Sequence, residues 1–254
     1  MRNPANAGYL CPYINGTCTK QSHSNALPFP VCSIYRRSGN QYDTRVPVCV
    51  CPVRFYGADI VGDVVRECWT GQKPTTPRIV HEIQMEKFGK VDLVIAELDD
   101  PGTTVTKFLP VELQAVDITG TYMPAYEALT QSTQMSNRPQ YGFNWANVRK
   151  RFMSQLVAKG FYCHHWQTRI VAVIQEDLFT QFNAHARLPE VSISDSNIVF
   201  MLYQYQRADN VAPWTFALQR VVPTTHLSVM QSVLYEQPPQ KATFERKILE
   251  RLQG

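Results

Sequence analysis

Long apolar runs are missing from this 254-residue chain. None approaches the roughly 18–20 residues that a membrane span needs, so no transmembrane helix is expected. The opening stretch MRNPANAGYLCPY has no apolar core of the kind a secretory leader carries, which argues for a cytosolic protein. Walker loops, GxSxG elbows and dinucleotide fingerprints are absent as well. Nucleotide, acyl-transfer and hydride chemistry therefore gain no support. There is no CxxC pair, and so no zinc-ribbon spacing. Internal repeats and low-complexity tracts are lacking too. Charge is sparse, at 18% of residues, with a formal excess of +4. That mild basic balance is compatible with nucleic acid and by itself says little. Hydrophobic residues at 44% fit an ordinary globular chain.

What is present is unevenly placed. Six of the seven cysteines, Cys11, Cys18, Cys32, Cys49, Cys51 and Cys68, fall in the first 68 residues, and only Cys163 lies beyond. Residues 1–70 are also rich in Pro, Asn, Ser and Thr, with little apolar periodicity. In a reducing compartment such a cluster points to metal ligation more than to disulfides. A segment with so little core of its own would gain from a metal staple. TGQKPTTP, residues 70–77, reads as a linker, so a cysteine segment over 1–70 and a second unit over 71–254 are expected.

Regular patterning starts near residue 78. KVDLVIAEL (90–98) and FLPVELQAVDI (108–118) read as strands joined by the turn DDPGTT (99–104). Pro110 in the second strand suggests an edge position or the start of that strand, because proline cannot donate to a ladder. A helix is expected over 145–159, with Val148, Phe152, Leu156 and Lys159 on one stripe and Gly160 as its stop. Strands follow at 168–175 and 197–206, and helices at 176–186, 225–237 and 241–253. Strands and helices mix around one central sheet, an α/β or α+β layout.

Strand side chains alternate, so Glu112 and Gln114 share a face. A hairpin can bring Asp92 beside Glu112. Two carboxylates and neighbouring carbonyl oxygens are hard ligands of the kind Mg²⁺ prefers beside phosphate. The plainer reading is that these are acids blunting a sheet edge. Glu82 and Gln84 in HEIQ repeat the spacing, but their flank QMEKFGK is polar.

KVDLVIAEL with FLPVELQ resembles the D…E-x-Q variant of the PD-(D/E)XK nuclease core. More narrowly, the chain resembles the NotI-type restriction endonucleases, through VELQAVDITGTY, NVRKRFMSQLVAKG and the order of its N-terminal cysteines. The likeness is traced from about residue 10 to about 175. It implies a restriction-endonuclease-like core with a central mixed sheet flanked by helices. It also implies site-specific, Mg²⁺-dependent cleavage of double-stranded DNA. Asp92 and Glu112 would be metal ligands, Gln114 the residue in place of the usual lysine, and Glu82 a further upstream acid. It implies a structural four-cysteine site for iron, formed by Cys11, Cys18, Cys32 and Cys51, with Cys49 the competitor for the last place. Ligand type alone does not separate iron from zinc, since both accept four thiolates. A homodimer on a palindrome, a companion DNA methyltransferase and a prokaryotic cytoplasmic setting are further expectations. Arg149, Lys150 and Arg151, with Arg36 and Arg37 in YRRSGNQY, are candidate phosphate contacts, though each is also an ordinary surface residue. Cys163, His164 and His165 are adjacent in sequence, which does not assemble a dyad, so a structural role is expected. The rival to catalysis is a metal-stabilised DNA-binding protein that does not cut.

Overall fold

The computed structural model describes residues 4–22, 25–38, 41–134, 141–209, 211–234 and 240–253. Six strands form the central sheet: β1 (Arg78–Gln84), β2 (Lys90–Leu98), β3 (Val105–Gln114), β4 (Ile170–Gln175), β5 (Ile198–Gln206) and β6 (Thr215–Thr224). Their spatial order is β6-β5-β4-β3-β2-β1. The sheet is mixed: β1, β2 and β3 meander antiparallel, β3, β4 and β5 run parallel, and β6 returns antiparallel. The composition of each strand follows its place. β4 (IVAVIQ) is buried at every residue, as a strand covered on both faces must be, whereas the edge strand β1 is exposed throughout.

One face of the sheet is covered by α3 (Trp145–His165), α4 (Glu176–Ala186) and α5 (His226–Leu234). Val148, Phe152 and Leu156 of α3 pack there on Ile170, Ala172, Ile198 and Phe200. The cysteine-rich stretch supplies the cover for the other face. Phe55, together with Ile60, Val64 and Cys68 of α1 (Ile60–Cys68), packs on Leu93, Ile95, Leu109 and Val111. Asp59 caps α1, its side chain accepting from the Gly62 N–H at 3.0 Å. Two further helices are α2 (Met123–Gln131) and α6 (Lys241–Gln253). Among the described residues no helix is long and apolar enough to cross a membrane.

Several boundaries differ from the sequence expectation. β3 starts at Val105 and ends at Gln114. Residues 118–120 instead pair with Tyr141–Phe143 in a separate small ribbon. Pro110 is in neither an edge strand nor a strand start, since β3 lies between β2 and β4. The Leu113 N–H faces the β2 side, so the N of Pro110 faces β4, one residue before the first parallel pair, Val171 with Val111. The missing donor therefore falls outside that ladder. The helix over 225–237 is found as His226–Leu234, and its last expected residues lie outside the described ones.

α3 does not stop at Gly160 but continues to His165. The glycine marks a close approach instead. A Cβ there would lie 2.6 Å from Ile198 Cγ1 and 2.8 Å from its Cδ1, in a fully buried contact between helix and sheet. Gly160→Ala is therefore expected to lower stability by about 1–2 kcal/mol, overpacking outweighing the helix-propensity gain. Denaturant unfolding checks this, and an unchanged or raised midpoint contradicts it.

Candidate active site

Three neighbouring strands place their acids in one row. The register that pairs Leu93 with Val111 puts Asp92 opposite Glu112 one residue on. Pairing of His81 with Leu93 and Ile83 with Val91 puts Glu82 opposite Asp92. Glu82 itself adopts φ +54°, left-handed backbone that few residues other than glycine enter.

Each carboxylate has a protein donor. Asp92 Oδ2 accepts from the Leu113 N–H at 2.6 Å. Glu112 Oε1 accepts from Lys159 Nζ, which also donates to the Lys90 carbonyl at 2.7 Å. Glu82 Oε2 accepts from Lys90 Nζ at 2.8 Å and is mostly exposed. Gln114 Nε2 donates to the Ala115 carbonyl at 2.5 Å.

These partners do not offset the burial. Glu112 is pushed up from 4.5 to about 7 by burial, reinforced by Asp92 and opposed by Lys159. Asp92 is also raised, by burial first, with Glu82 adding and the Leu113 N–H and Lys159 opposing. The Tyr56 hydroxyl is raised by burial and by the charges of Asp92 and Glu82. Two half-buried carboxylates of raised pKa, with the charge of Asp92 adding to the shift of Glu112, suit a divalent cation, which would remove the repulsion. An open cleft of about 440 Å³ leads to Asp92 and Glu82, with Tyr56, Pro52 and Ile14 of the cysteine segment on its far wall.

The cysteines lie behind that wall. Cys51 is lowered chiefly by a hydrogen bond from the Cys32 thiol, then by Lys20 and by the N–H groups of Val53 and Arg54. Cys32 is raised as the donor of that pair and by burial. Cys18 is raised by burial, with Cys51 and Cys11 adding to the shift. Cys18, Cys32 and Cys51 thus affect one another and Cys11 adds to the shifts of Cys18 and Cys32, although among the described residues no three Cys, His, Asp or Glu side chains form a set that could hold an ion. Both hold together if the thiols are neighbours that have not closed on a common point. Cys49 and Cys68 are fully buried in the core instead.

The basic residues scatter. Arg36 bonds Asp177 at 3.3 Å and lies over the Trp145 ring, and the side chain of Arg37 is outside the described residues. Arg149 is half-buried, and Lys150 and Arg151 are exposed, the latter 3.6 Å from Asp117. Cys163 is fully buried and its thiol is pushed up to about 12 by burial, unlike a nucleophile. Sequence reasoning did not single out Tyr56 or His81, and took Lys159 for part of an apolar stripe. A lysine on the inner face of a helix was itself the signal, because lysine is almost never buried without a partner.

A sequence model of the family described as restriction endonuclease NotI matches residues 4–216. The chain belongs to that family. Membership in the NotI restriction endonuclease family carries site-specific cleavage of DNA. The matched span runs beyond the 10–175 of the sequence likeness and includes all three acids, Gln114 and the four N-terminal cysteines, while α5 and α6 of this NotI-family chain lie outside it. A search of curated proteins gives no match.

The raised Glu112 gives a pH signature without metal. The unfolded carboxyl titrates near 4.5 and the folded one near 7, so between those values the folded chain keeps a proton that the unfolded chain has lost. Stability therefore falls as pH rises through that window, by up to about 3 kcal/mol from this one group. With EDTA present, Glu112→Gln is expected to gain stability relative to the parent between pH 5 and pH 7.5. Parallel stability-against-pH curves would contradict the assignment.

Proposed function

We propose that this chain is a Mg²⁺-dependent type II endonuclease that cuts both strands of duplex DNA at a palindromic site. The observation that carries the reading is the adjacency of Asp92 and Glu112 on neighbouring strands, with Asp92 and Glu82 lining the cleft, in a chain of the NotI family. Asp92 and Glu112 would hold the cation, and Glu82 stands next in the row. When bound, Mg²⁺ would polarise the phosphate and lower the pKa of a water.

The chain's own residues divide the remaining tasks. Gln114 has no charge and so can only orient a water or ligand by hydrogen bonding, with its carbonyl oxygen left as acceptor. The cleft wall of Ile14, Pro52 and Tyr56 would limit water around the phosphate. Attack of water on phosphorus from the side opposite the 3′-oxygen would expel that oxygen, leaving 5′-phosphate and 3′-hydroxyl ends. Exposed Lys150 and Arg151 on α3, and Arg36 and Arg37 in the cysteine segment, are the proposed phosphate contacts. A homodimer follows from matching two active sites to the two strands of a palindrome, and a DNA methyltransferase of the same specificity would protect the host genome.

Cys11, Cys18, Cys32 and Cys51 would hold a structural iron or zinc ion. In support, Cys51 already sits among N–H donors and against Cys32, an environment made for a thiolate. Four thiolates leave no open position for substrate, so the role is to fix the segment that walls the cleft. Cys18→Ser is expected to lose bound metal and melt at a lower temperature. Full metal content with an unchanged melt would contradict this.

One observation favours a non-cutting DNA-binding protein: every acid in the row is already answered by a donor from the chain. Incubation with plasmid or phage DNA separates the two. Discrete fragments with Mg²⁺ and none with EDTA support the enzyme, and Asp92→Ala should abolish cutting while retarding DNA on a gel as the parent does. Retardation without cutting under every condition supports the rival.

A further inference from the structure

The inner stripe of α3 is apolar at Val148, Phe152, Met153 and Leu156, and then charged at Lys159. The Lys159 side chain is only 3% exposed. Burying an ammonium is costly, and replacing a buried ion pair with apolar side chains is often neutral or stabilising. Packing of α3 on the sheet thus gives no reason for a lysine at this position.

Its contacts do. Nζ reaches across two strands, to the carbonyl of Lys90, two residues before Asp92 on β2, and to Oε1 of Glu112 on β3. Asp92 is held in a matching way, through Oδ2 and the Leu113 N–H. In each carboxylate one oxygen is engaged, and the other, Oδ1 of Asp92 or Oε2 of Glu112, has no hydrogen-bond partner among the described residues. The side chain is too buried to meet a DNA phosphate itself, so it acts through Glu112.

We infer that Lys159 is a positioning residue of the cleavage site: it clamps Oε1 of Glu112 so that Oε2 stands beside Asp92 as a cation ligand. This rests on the reading of Asp92 and Glu112 as the cation-binding pair. It adds that the geometry of the pair is set from the opposite layer, by the crossover helix, and not by the strands alone.

The test is Lys159→Met, read beside Asp92→Ala and Lys159→Arg on the full chain. A misplacement of about 1 Å can cost about 100-fold in rate. The single-turnover cleavage constant of Lys159→Met is therefore expected to fall by about 10-fold to 100-fold with metal-free DNA affinity at the parent's level, while the loss of melting temperature caused by leaving Glu112 unpaired is recovered when Glu112→Gln is added. Lys159→Arg, which can still donate to Oε1, should recover part of the loss. In EDTA, denaturant midpoints should show the two groups coupled: Lys159→Met combined with Glu112→Gln unfolds at no lower denaturant than the weaker single variant. Parental cutting by Lys159→Met while Asp92→Ala is dead overturns the role of the lysine and leaves the reading of the site intact. Parental cutting by Asp92→Ala sinks that reading, and this inference with it. Should Lys159→Met fail to melt cooperatively, Lys159→Gln takes its place under the same criteria. If neither folds, the lysine is a scaffold residue and the inference is overturned.

Discussion

Register is the constraint on which the site depends. In β1, β2 and β3 a shift of one residue would turn every acid to the opposite face of the sheet. What holds the register is the apolar half of the same strands. Leu93, Ile95, Leu109 and Val111 must all meet the layer formed by Phe55, Ile60, Val64 and Cys68. Burial of that set fixes Asp92 and Glu112 side by side on the other face, without any attraction between them; their charges repel. The acids are aligned because their apolar neighbours are packed.

The cysteine-rich stretch consequently has two physical tasks. Through Phe55 and α1 it completes the core beneath the strands, and through Ile14, Pro52 and Tyr56 it forms a wall of the cleft above them. Tyr122, next to the small ribbon that follows β3, stacks on Phe29 at 5.0 Å and ties the segment between β3 and α3 to the same stretch. A metal among the proposed thiol ligands would thus stiffen a surface continuous with both the core and the cleft. On the face of the sheet opposite Phe55 and α1, α3 brings one ammonium to Glu112. The half-buried acids between these layers are held at raised pKa, a strained arrangement that a divalent cation would relieve.

Much of this was legible in the residues. The hairpin of β2 and β3, the buried runs of β4 and β5, and the helices α4 and α6 follow from periodicity and turn chemistry. Asp92, Glu112 and Gln114 stood out because polar side chains break otherwise apolar strands. The interior of the molecule was harder to read. Gly160 looks like a helix stop when only local propensity is weighed, and its true cause, the touching Ile198, is 38 residues away. Pro110 looks like an edge marker until the parallel ladder is seen to begin one residue later. Helix α1 was hidden in a stretch whose composition suggested loops, because its apolar residues serve a core built by strands further along the chain. Lys159 fell at helical spacing and was absorbed into the stripe; only the fold brings it to Glu112, 47 residues earlier. Long-range contact, more than local pattern, decides each of these.

The central claim is that Asp92 and Glu112 share one divalent cation. The most direct measurement is a crystal structure with duplex DNA and Mn²⁺, with the metal located by its anomalous signal. The account predicts a peak within ligand distance of one oxygen from each of these two carboxylates and of a phosphate oxygen. A DNA complex with Mn²⁺ bound elsewhere, and with Lys159 still the sole partner of Glu112, would contradict it.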